Sequence, residues 1–343
     1  MTKTKGTTDA ARRAAKPTQR TIAEQMGLAV TTVSKALAGD TRIAATTRQE
    51  VARMAQKLGY VPDRAAQRLR TGRTNVITLV LDPHSELLGF GAALIEGIAD
   101  VLRPTRYHLT IMQYQLGEDV LTPIEFIVRN GLADGVIFAR TVPDDRRVRY
   151  LQEVGFPFIT HGRTAIAGHA WYDYDNAAFA DMAVRLLAGQ GARRIGLIPP
   201  SPVYTYRDVM VRGFERAVAD IGASAQIAQG FDLNHGSDVL YRGLTRWLRD
   251  PNGPDGLICP GEVSAMTAHA VLADLGLDLP LVAKQTSPLF QHFRPRPVVI
   301  EEDIQAAGRD MADALMQIIS GAEPTDFQIL RAPEGLSAAA QGR

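Results

Sequence analysis

The chain has 343 residues, 45% apolar and 22% charged, a balance that fits a globular protein of more than one domain rather than a disordered or membrane-embedded chain. No apolar run approaches the roughly 18 residues of a membrane-spanning helix, and the basic N-terminus lacks the apolar core of a secretory signal, so a cytoplasmic protein without membrane contact is expected. The net charge of +1 hides an asymmetry: residues 1–75 hold fifteen Lys/Arg against five Asp/Glu, a net +10, which leaves 23 against 32, or −9, for the rest. A basic first fifth on an acidic body points to a nucleic-acid-binding module joined to one with another task. The single cysteine, Cys259, permits neither an intrachain disulfide nor a structural zinc framework.

Residues 1–16 carry lysines and arginines without apolar periodicity and are expected to form a disordered basic arm. Structure is expected from Thr18, with Ile22, Ala23 and Met26 on one helix face and Gly27 as the stop. A second helix is predicted from about Ala29 to Leu37, with Val33 and Leu37 inward. So short a connection makes the pair a helix-turn-helix, whose second helix can enter the major groove. A third helix is predicted behind a capping box, Thr47 to Glu50, with Val51, Met54, Ala55 and Leu58 on its apolar stripe. On the second helix Val30, Thr31 and Lys35 are placed to meet base edges, Val30 against a thymine methyl. Thr32, Ser34 and Arg42 fall where phosphates would run, and Thr18 is a further candidate DNA contact. The helix-turn-helix domain is taken as 17–62. Residues 63–74 follow as a hinge, in which Asp63 and Gly72 frame about two turns too short to hold alone. Arg64, Arg68, Arg70 and Arg73 suggest DNA as the stabilising partner.

The runs Thr21-Ile22-Ala23-Glu24, Thr32-Val33-Ser34-Lys35-Ala36-Leu37, Leu58-Gly59-Tyr60-Val61-Pro62 and Arg64-Ala65-Ala66-Gln67-Arg68-Leu69 resemble the lactose-repressor/galactose-repressor (LacI/GalR) family. The resemblance implies a homodimer on an inverted-repeat operator, whose paired hinge helices lie in the minor groove. Leu69 would be the apolar lever between base pairs and Ala66 the small residue at the helix contact, with Arg64 a further DNA contact. One departure is Ala29, where a capping serine is common in the family.

From residue 75 to about 331 short apolar runs alternate with amphipathic stretches. Strands are expected at 76–81, 107–112, 135–139, 156–160, 194–198, 256–259 and 281–283, and helices at 94–102, 123–130, 176–187, 210–221 and 263–275. Such alternation builds parallel sheets covered by helices, in two lobes. The stretch resembles the periplasmic-binding-protein-like effector domain of the same family, so the fold class expected is an N-terminal all-α helix-turn-helix module plus an α/β periplasmic-binding-protein-like effector domain of two parallel-sheet lobes. Residues 332–343 are left as a flexible tail without heptads, so no further coiled-coil association is expected.

In such a domain a small molecule sits between the lobes at the C-terminal ends of strands. The candidate effector contacts are therefore Asp82, His84 and Phe90 after the first strand, Arg140 after the third, and His161 and Arg163 after the fourth, followed by Tyr206 and Arg207, then Glu262 and Lys284. Aromatic faces with directional polar groups suit a carbohydrate. Three positions where sugar-binding relatives carry arginine, asparagine and aspartate look like Met210, Gly261 and Gln285 here, and Lys284 adds a cation. A disaccharide, a glycoside or an anionic ligand therefore stay open, as do a lost effector and a solute-binding protein with no regulatory role. An enzyme is not expected: Gly89-Phe90-Gly91-Ala92-Ala93-Leu94 lacks the third glycine of a dinucleotide loop, no nucleophile elbow or phosphate loop occurs, and the seven histidines show no metal-ligand spacing. No catalytic residue, metal or cofactor is expected.

Overall fold

The computed structural model describes residues 17–61, 72–81, 89–114 and 117–336. The basic arm, the hinge with Arg64, Ala66 and Leu69, and the candidate ligand residues Asp82 and His84 lie outside them. The chain divides into two compact units that meet between Thr74 and Asn75.

The first unit holds three helices, α1 (Gln19–Met26), α2 (Val30–Leu37) and α3 (Ala45–Leu58). Ile22, Ala23, Val33, Ala36, Val51 and Ala55 are buried together, with Met26, Leu28, Leu37, Ile43, Met54, Leu58 and Tyr60 packed around them. Gly27 takes the left-handed conformation (φ 62°) that turns the chain between α1 and α2. The capping box stands elsewhere than the sequence suggested. Thr18 caps α1, its hydroxyl accepting from the Thr21 N–H while Thr21 Oγ1 accepts from the Thr18 N–H, both at 3.2 Å. α3 starts two residues before Thr47, at Ala45, behind an Ala44 cap without a side-chain bond, because alanines extend a helix at little cost. α2 also lacks a side-chain cap at Ala29.

The second unit consists of two lobes, each a six-stranded sheet between helix pairs. Lobe 1 has the order β11-β5-β4-β3-β1-β2, and lobe 2 the order β12-β10-β9-β8-β6-β7. Lobe 1 is built from β1 (Val76–Leu81), α4 (Phe90–Leu102), β2 (His108–Gln113), α5 (Leu121–Arg129), β3 (Gly135–Phe138), α6 (Arg146–Glu153), β4 (Phe158–His161) and β5 (Ala170–Tyr174). The chain crosses through α7 (Asn176–Gly189) into lobe 2, which contains β6 (Arg194–Leu197), α8 (Thr205–Asp220), β7 (Ser224–Ile227), α9 (Ser237–Arg249), β8 (Gly256–Cys259), α10 (Glu262–Leu275), β9 (Leu281–Gln285) and β10 (Val298–Glu301). It returns through α11 (Ile304–Ile319) to add β11 (Gln328–Arg331) to lobe 1 and crosses once more for β12 (Glu334–Leu336) in lobe 2. β12 lies where only a tail was expected and pairs antiparallel with β10, whereas the other strand pairs are parallel.

The parallel strands are short apolar runs because both faces are covered. On lobe 1, α4 and α11 bury Leu94, Ile98, Met311 and Leu315 against one face, and α5 and α6 bury Ile124, Ile127, Val148 and Leu151 against the other. α4 and α11 cross closely enough that a Cβ on Gly97 would lie 2.0 Å from the Gln305 carbonyl oxygen, and one on Gly308 2.5 Å from that of Leu94. Lobe 2 repeats the plan, with α7 and α8 on one side and α9 and α10 on the other. Among the described residues no helix is long and apolar enough to cross a membrane.

Candidate functional site

Two places collect the predicted residues. In the first unit α2 turns Val33 and Ala36 into the core, which leaves Val30, Thr31 and Lys35 exposed on the opposite face and Thr32 and Ser34 half-buried at its flanks. Val30 is 44% exposed, an apolar side chain held in water at the first turn of a helix. The loop from α2 to α3 is braced by Arg48, a residue not singled out in the sequence, whose Nη1 donates to the carbonyls of Ile43 at 2.6 Å and Asp40 at 3.3 Å. Arg42 is already engaged: Nε and Nη2 donate to the Asp40 carboxylate at 3.0 and 2.7 Å. These bonds hold the Asp40 carboxyl down at about 2. A phosphate at Arg42 would therefore share the guanidinium with Asp40. Thr18 is exposed at the start of α1 with its hydroxyl in the capping box.

The second place is a cleft between the lobes, at the C-terminal ends of the strands of both sheets, enclosing about 650 Å³ of space with its open mouth included. Volumes of this order hold a small organic ligand. Of the predicted contacts, Phe90, Arg140, His161, Tyr206 and Lys284 line it. Three others do not. Glu262 is fully buried at the start of α10, where Oε1 accepts from the Thr286 N–H (3.1 Å), the Ser287 N–H (2.9 Å) and the Ser287 hydroxyl (2.7 Å), so it braces the turn after β9. Arg207 lies in the first turn of α8, ion-paired with Asp208, and Met210 beside it is core. Arg163 stands behind the wall, its Nε 2.6 Å from Asp173 Oδ2.

Asp173, Tyr174, Asn176 and Glu302 line the cleft without having been predicted. They sit at the ends of β5 and β10, two strands the sequence reading passed over. The chain passes between lobes there, and Lys284 ties the passages together. Its Nζ donates to Asn176 Oδ1 at 2.8 Å, pairs with Glu302 Oε2 at 2.9 Å and lies 4.3 Å from the centroid of the Tyr174 ring. The Tyr174 hydroxyl donates to the Glu301 carbonyl at 3.2 Å. Lys284 and Glu302 are both nearly excluded from water, which makes theirs a buried ion pair.

His161 stands edge-on to Phe90 and stacked on Tyr172, with Nε2 3.8 Å from Glu302 Oε1. Burial lowers its pKa below the ordinary imidazole value, against the opposing attraction of Glu302. Burial also pushes the Asp173 carboxyl up to about 6 although Arg163 stands beside it. Among the described residues His161 Nε2, Arg207 Nε, Gln285 Oε1 and Thr286 Oγ1 are buried without a hydrogen-bond partner. His161 and Gln285 are the last residues of β4 and β9, Thr286 follows β9, and Arg207 lies in the first turn of α8. Polar atoms left this way are costly unless another group meets them.

A model of the bacterial regulatory proteins of the lacI family matches residues 18–63, and one of a periplasmic binding protein-like domain matches residues 184–337. The transcriptional regulator AglR of Rhizobium meliloti (strain 1021) is 31% identical over 86% of this chain and 86% of its own. MalR of Streptomyces coelicolor is 30% identical over 94% and 96%, and RafR of Escherichia coli 28% over 92% and 95%. Among solved structures, the lac repressor dimer bound to operator and the anti-inducer ONPF superposes with a TM-score of 0.78 at 16% identity, covering 94% of this chain and 98% of that one. The transcriptional regulator CelR in complex with cellobiose gives 0.67 at 22% over the same shares. The relatives matched are regulators of transcription rather than enzymes. From its helix-turn-helix head to the periplasmic-binding-protein-like lobes behind it, the chain belongs to the lacI family of bacterial transcriptional regulators.

Proposed function

We propose that this regulator is a repressor whose operator affinity is set by a neutral polyhydroxylated ligand, a carbohydrate, bound between the lobes. The observation that carries the ligand class is how the cleft disposes of its charges. Lys284 is matched by Glu302 and Asp173 by Arg163, Arg140 donates to Tyr204 and Asn234, and Phe90, His161 and Tyr206 offer ring faces and edges. A charged ligand set against Lys284 or Asp173 would have to compete with the buried partner each already has. A sugar brings apolar ring faces and hydroxyls instead. The anionic ligand that Lys284 and Arg207 had kept open loses its support, since the first cation is paired and the second does not line the cleft. The cellobiose complex of CelR supports the same class.

On the DNA side, α2 is the reading helix, with Val30, Thr31 and Lys35 toward base edges and Thr18, Thr32, Ser34 and Arg42 toward the backbone. The operator-bound lac repressor dimer supports a two-fold site, and edge strand β2, which leaves Thr110 and Ile111 exposed, gives a second copy a surface to meet. The hinge residues Arg64, Ala66 and Leu69 keep the roles of DNA contact, helix contact and wedge.

The test is selection of bound fragments from the source genome, followed by titration of the complex with neutral mono- and oligosaccharides and, in parallel, sugar phosphates and uronic acids. A palindromic site released or tightened by a neutral sugar supports the reading. Response to acidic sugars alone would remove the ligand class, and binding without sequence preference would remove the specific reader. Lys35→Ala should alter preference at one base pair per half-site by about 1–3 kcal/mol. An equal loss on all sequences would make Lys35 a phosphate contact.

A further inference from the structure

Arg140 adopts a positive φ of 55°, a conformation that L side chains rarely hold, two residues past the end of β3. The backbone is held there from beneath. Buried Arg147 donates from Nη2 to the carbonyls of Ala139 at 3.3 Å and Arg140 at 3.1 Å, is gripped by both oxygens of Asp145 at 2.9 and 2.7 Å, and lies 4.3 Å from the centre of the Phe138 ring. A glycine would take this φ at no steric cost. What arginine adds is a guanidinium, and it crosses the cleft. Its Nη2 donates to the Tyr204 hydroxyl and, at 2.7 Å, to Asn234 Oδ1, and the guanidinium lies 4.3 Å from the centre of the Tyr204 ring. Asn234 Nδ2 donates to the same hydroxyl at 3.3 Å, closing the triangle. One residue further on, the Thr141 carbonyl accepts from the Thr205 N–H at 3.1 Å. Arg140 and Thr141 belong to lobe 1, Tyr204, Thr205 and Asn234 to lobe 2.

We propose that Arg140 is a positioning residue, a clasp that holds the two lobes together at this edge of the cleft before any ligand binds and fixes the Tyr206 ring as a wall of the site. The ring is reached through Tyr204, which stacks on Tyr206 with centroids 6.0 Å apart and planes 18° from parallel. Tyr206 in turn lines the cleft. The strained backbone, its buried support and the cross-lobe triangle are thus one device. Opening the lobes means pulling a cation off an aromatic face and out of two hydrogen bonds, so the ligand-free closure of the sensor is set by this residue. The inference goes beyond the carbohydrate reading and stands whether or not that reading does, because it concerns the empty protein.

The test measures the distance across the cleft by pulsed electron spin resonance on the full chain without ligand. Spin labels are carried by Asp144→Cys in lobe 1 and Gln229→Cys in lobe 2, both exposed positions, and Cys259 is buried. The labelled parent is expected to give a single narrow distance. Arg140→Gly removes the clasp and relieves the backbone, so its melting temperature should hold or rise while the distance lengthens and broadens. Tyr204→Leu attacks the clasp from the other lobe, leaves the Arg140 backbone alone, and should open the cleft in the same way. A parent-like distribution in either variant would overturn the proposal, as would Arg140→Gly losing stability while the distance stays put, which would make Arg140 a packing residue only.

Discussion

Replacing Lys284 by methionine keeps the length of the side chain and removes its charge. The change leaves the Glu302 carboxylate, 5% exposed, without the ammonium 2.9 Å away, and takes a cation from the Tyr174 face 4.3 Å below it. Breaking a buried pair from one side costs about 3–5 kcal/mol, because the surviving charge stays desolvated. Losing the ring contact adds roughly 1 kcal/mol more. Replacing both partners, Lys284→Met with Glu302→Gln, removes the stranded charge and should return to within about 1–2 kcal/mol of the parent. The coupling between the two substitutions should then be at least about 2 kcal/mol, well above the scatter expected of independent sites. Urea unfolding at neutral pH followed by tryptophan fluorescence suits the measurement, since the two tryptophans, Trp171 in β5 and Trp247 in α9, report one lobe each. A single variant that loses less than about 1 kcal/mol, or a double variant as unstable as the single, would refute the argument that Glu302 depends on Lys284 for its charge.

Ala29→Ser should supply the missing cap of α2, worth about 1 kcal/mol, and slow amide exchange in that helix roughly fivefold; unchanged exchange would mean that the capping geometry at Ala29 (φ −70°, ψ 143°) is not used by a serine. Asp173 should contribute a stability that falls as pH rises from about 4, its unfolded value, to about 6, its folded one, because the folded state keeps the proton that the unfolded state has lost. Asp173→Asn should flatten that limb of the pH–stability curve, and a variant with the parent slope would show that Asp173 is not its source. His161 acts with the opposite sign in both proteins, its neutral form being favoured by burial and its contribution lost as pH falls. Gly97→Ala should lower the melting temperature through about 1–3 kcal/mol of overpacking or more, the new methyl lying 2.0 Å from the Gln305 carbonyl; a parent-like melt would show that α4 and α11 can part without loss.

Strands covered on both faces leave continuous apolar runs, and β1 and β8 stand where such runs stand in the sequence. The strands that were missed have mixed surroundings. β5, Ala-Trp-Tyr-Asp-Tyr, interrupts its aromatic run with Asp173, and β7 and β11 are edge strands with exposed residues. β10 follows a proline- and arginine-rich loop that hides a clear Val-Val-Ile. Missing β5 and β10 meant missing Asp173, Asn176 and Glu302, since a site at strand ends is only as legible as the strands. α9 was passed over as well, although Leu240, Leu244 and Leu248 stand at helical spacing. Glu262 shows the opposite error. A carboxylate after a strand reads as a ligand group, but backbone amides can claim it first, and only coordinates reveal that Thr286 and Ser287 do so.

The return of the chain to lobe 1 at β11 has a consequence for the order in which the protein comes into being. β5 acquires its outer neighbour only when Gln328–Arg331 has been made, close to the end of the chain, and the outer partner of β10 comes later still. Neither lobe is complete until those strands have been made, whereas the three helices of the head close their core from residues before 61. At roughly 5–20 residues per second the head precedes a finished sensor by some tens of seconds. During each round of synthesis the helix-turn-helix head therefore exists before the lobes that follow it. On the proposed function, ligand control of DNA binding begins only when β11 and β12 are in place.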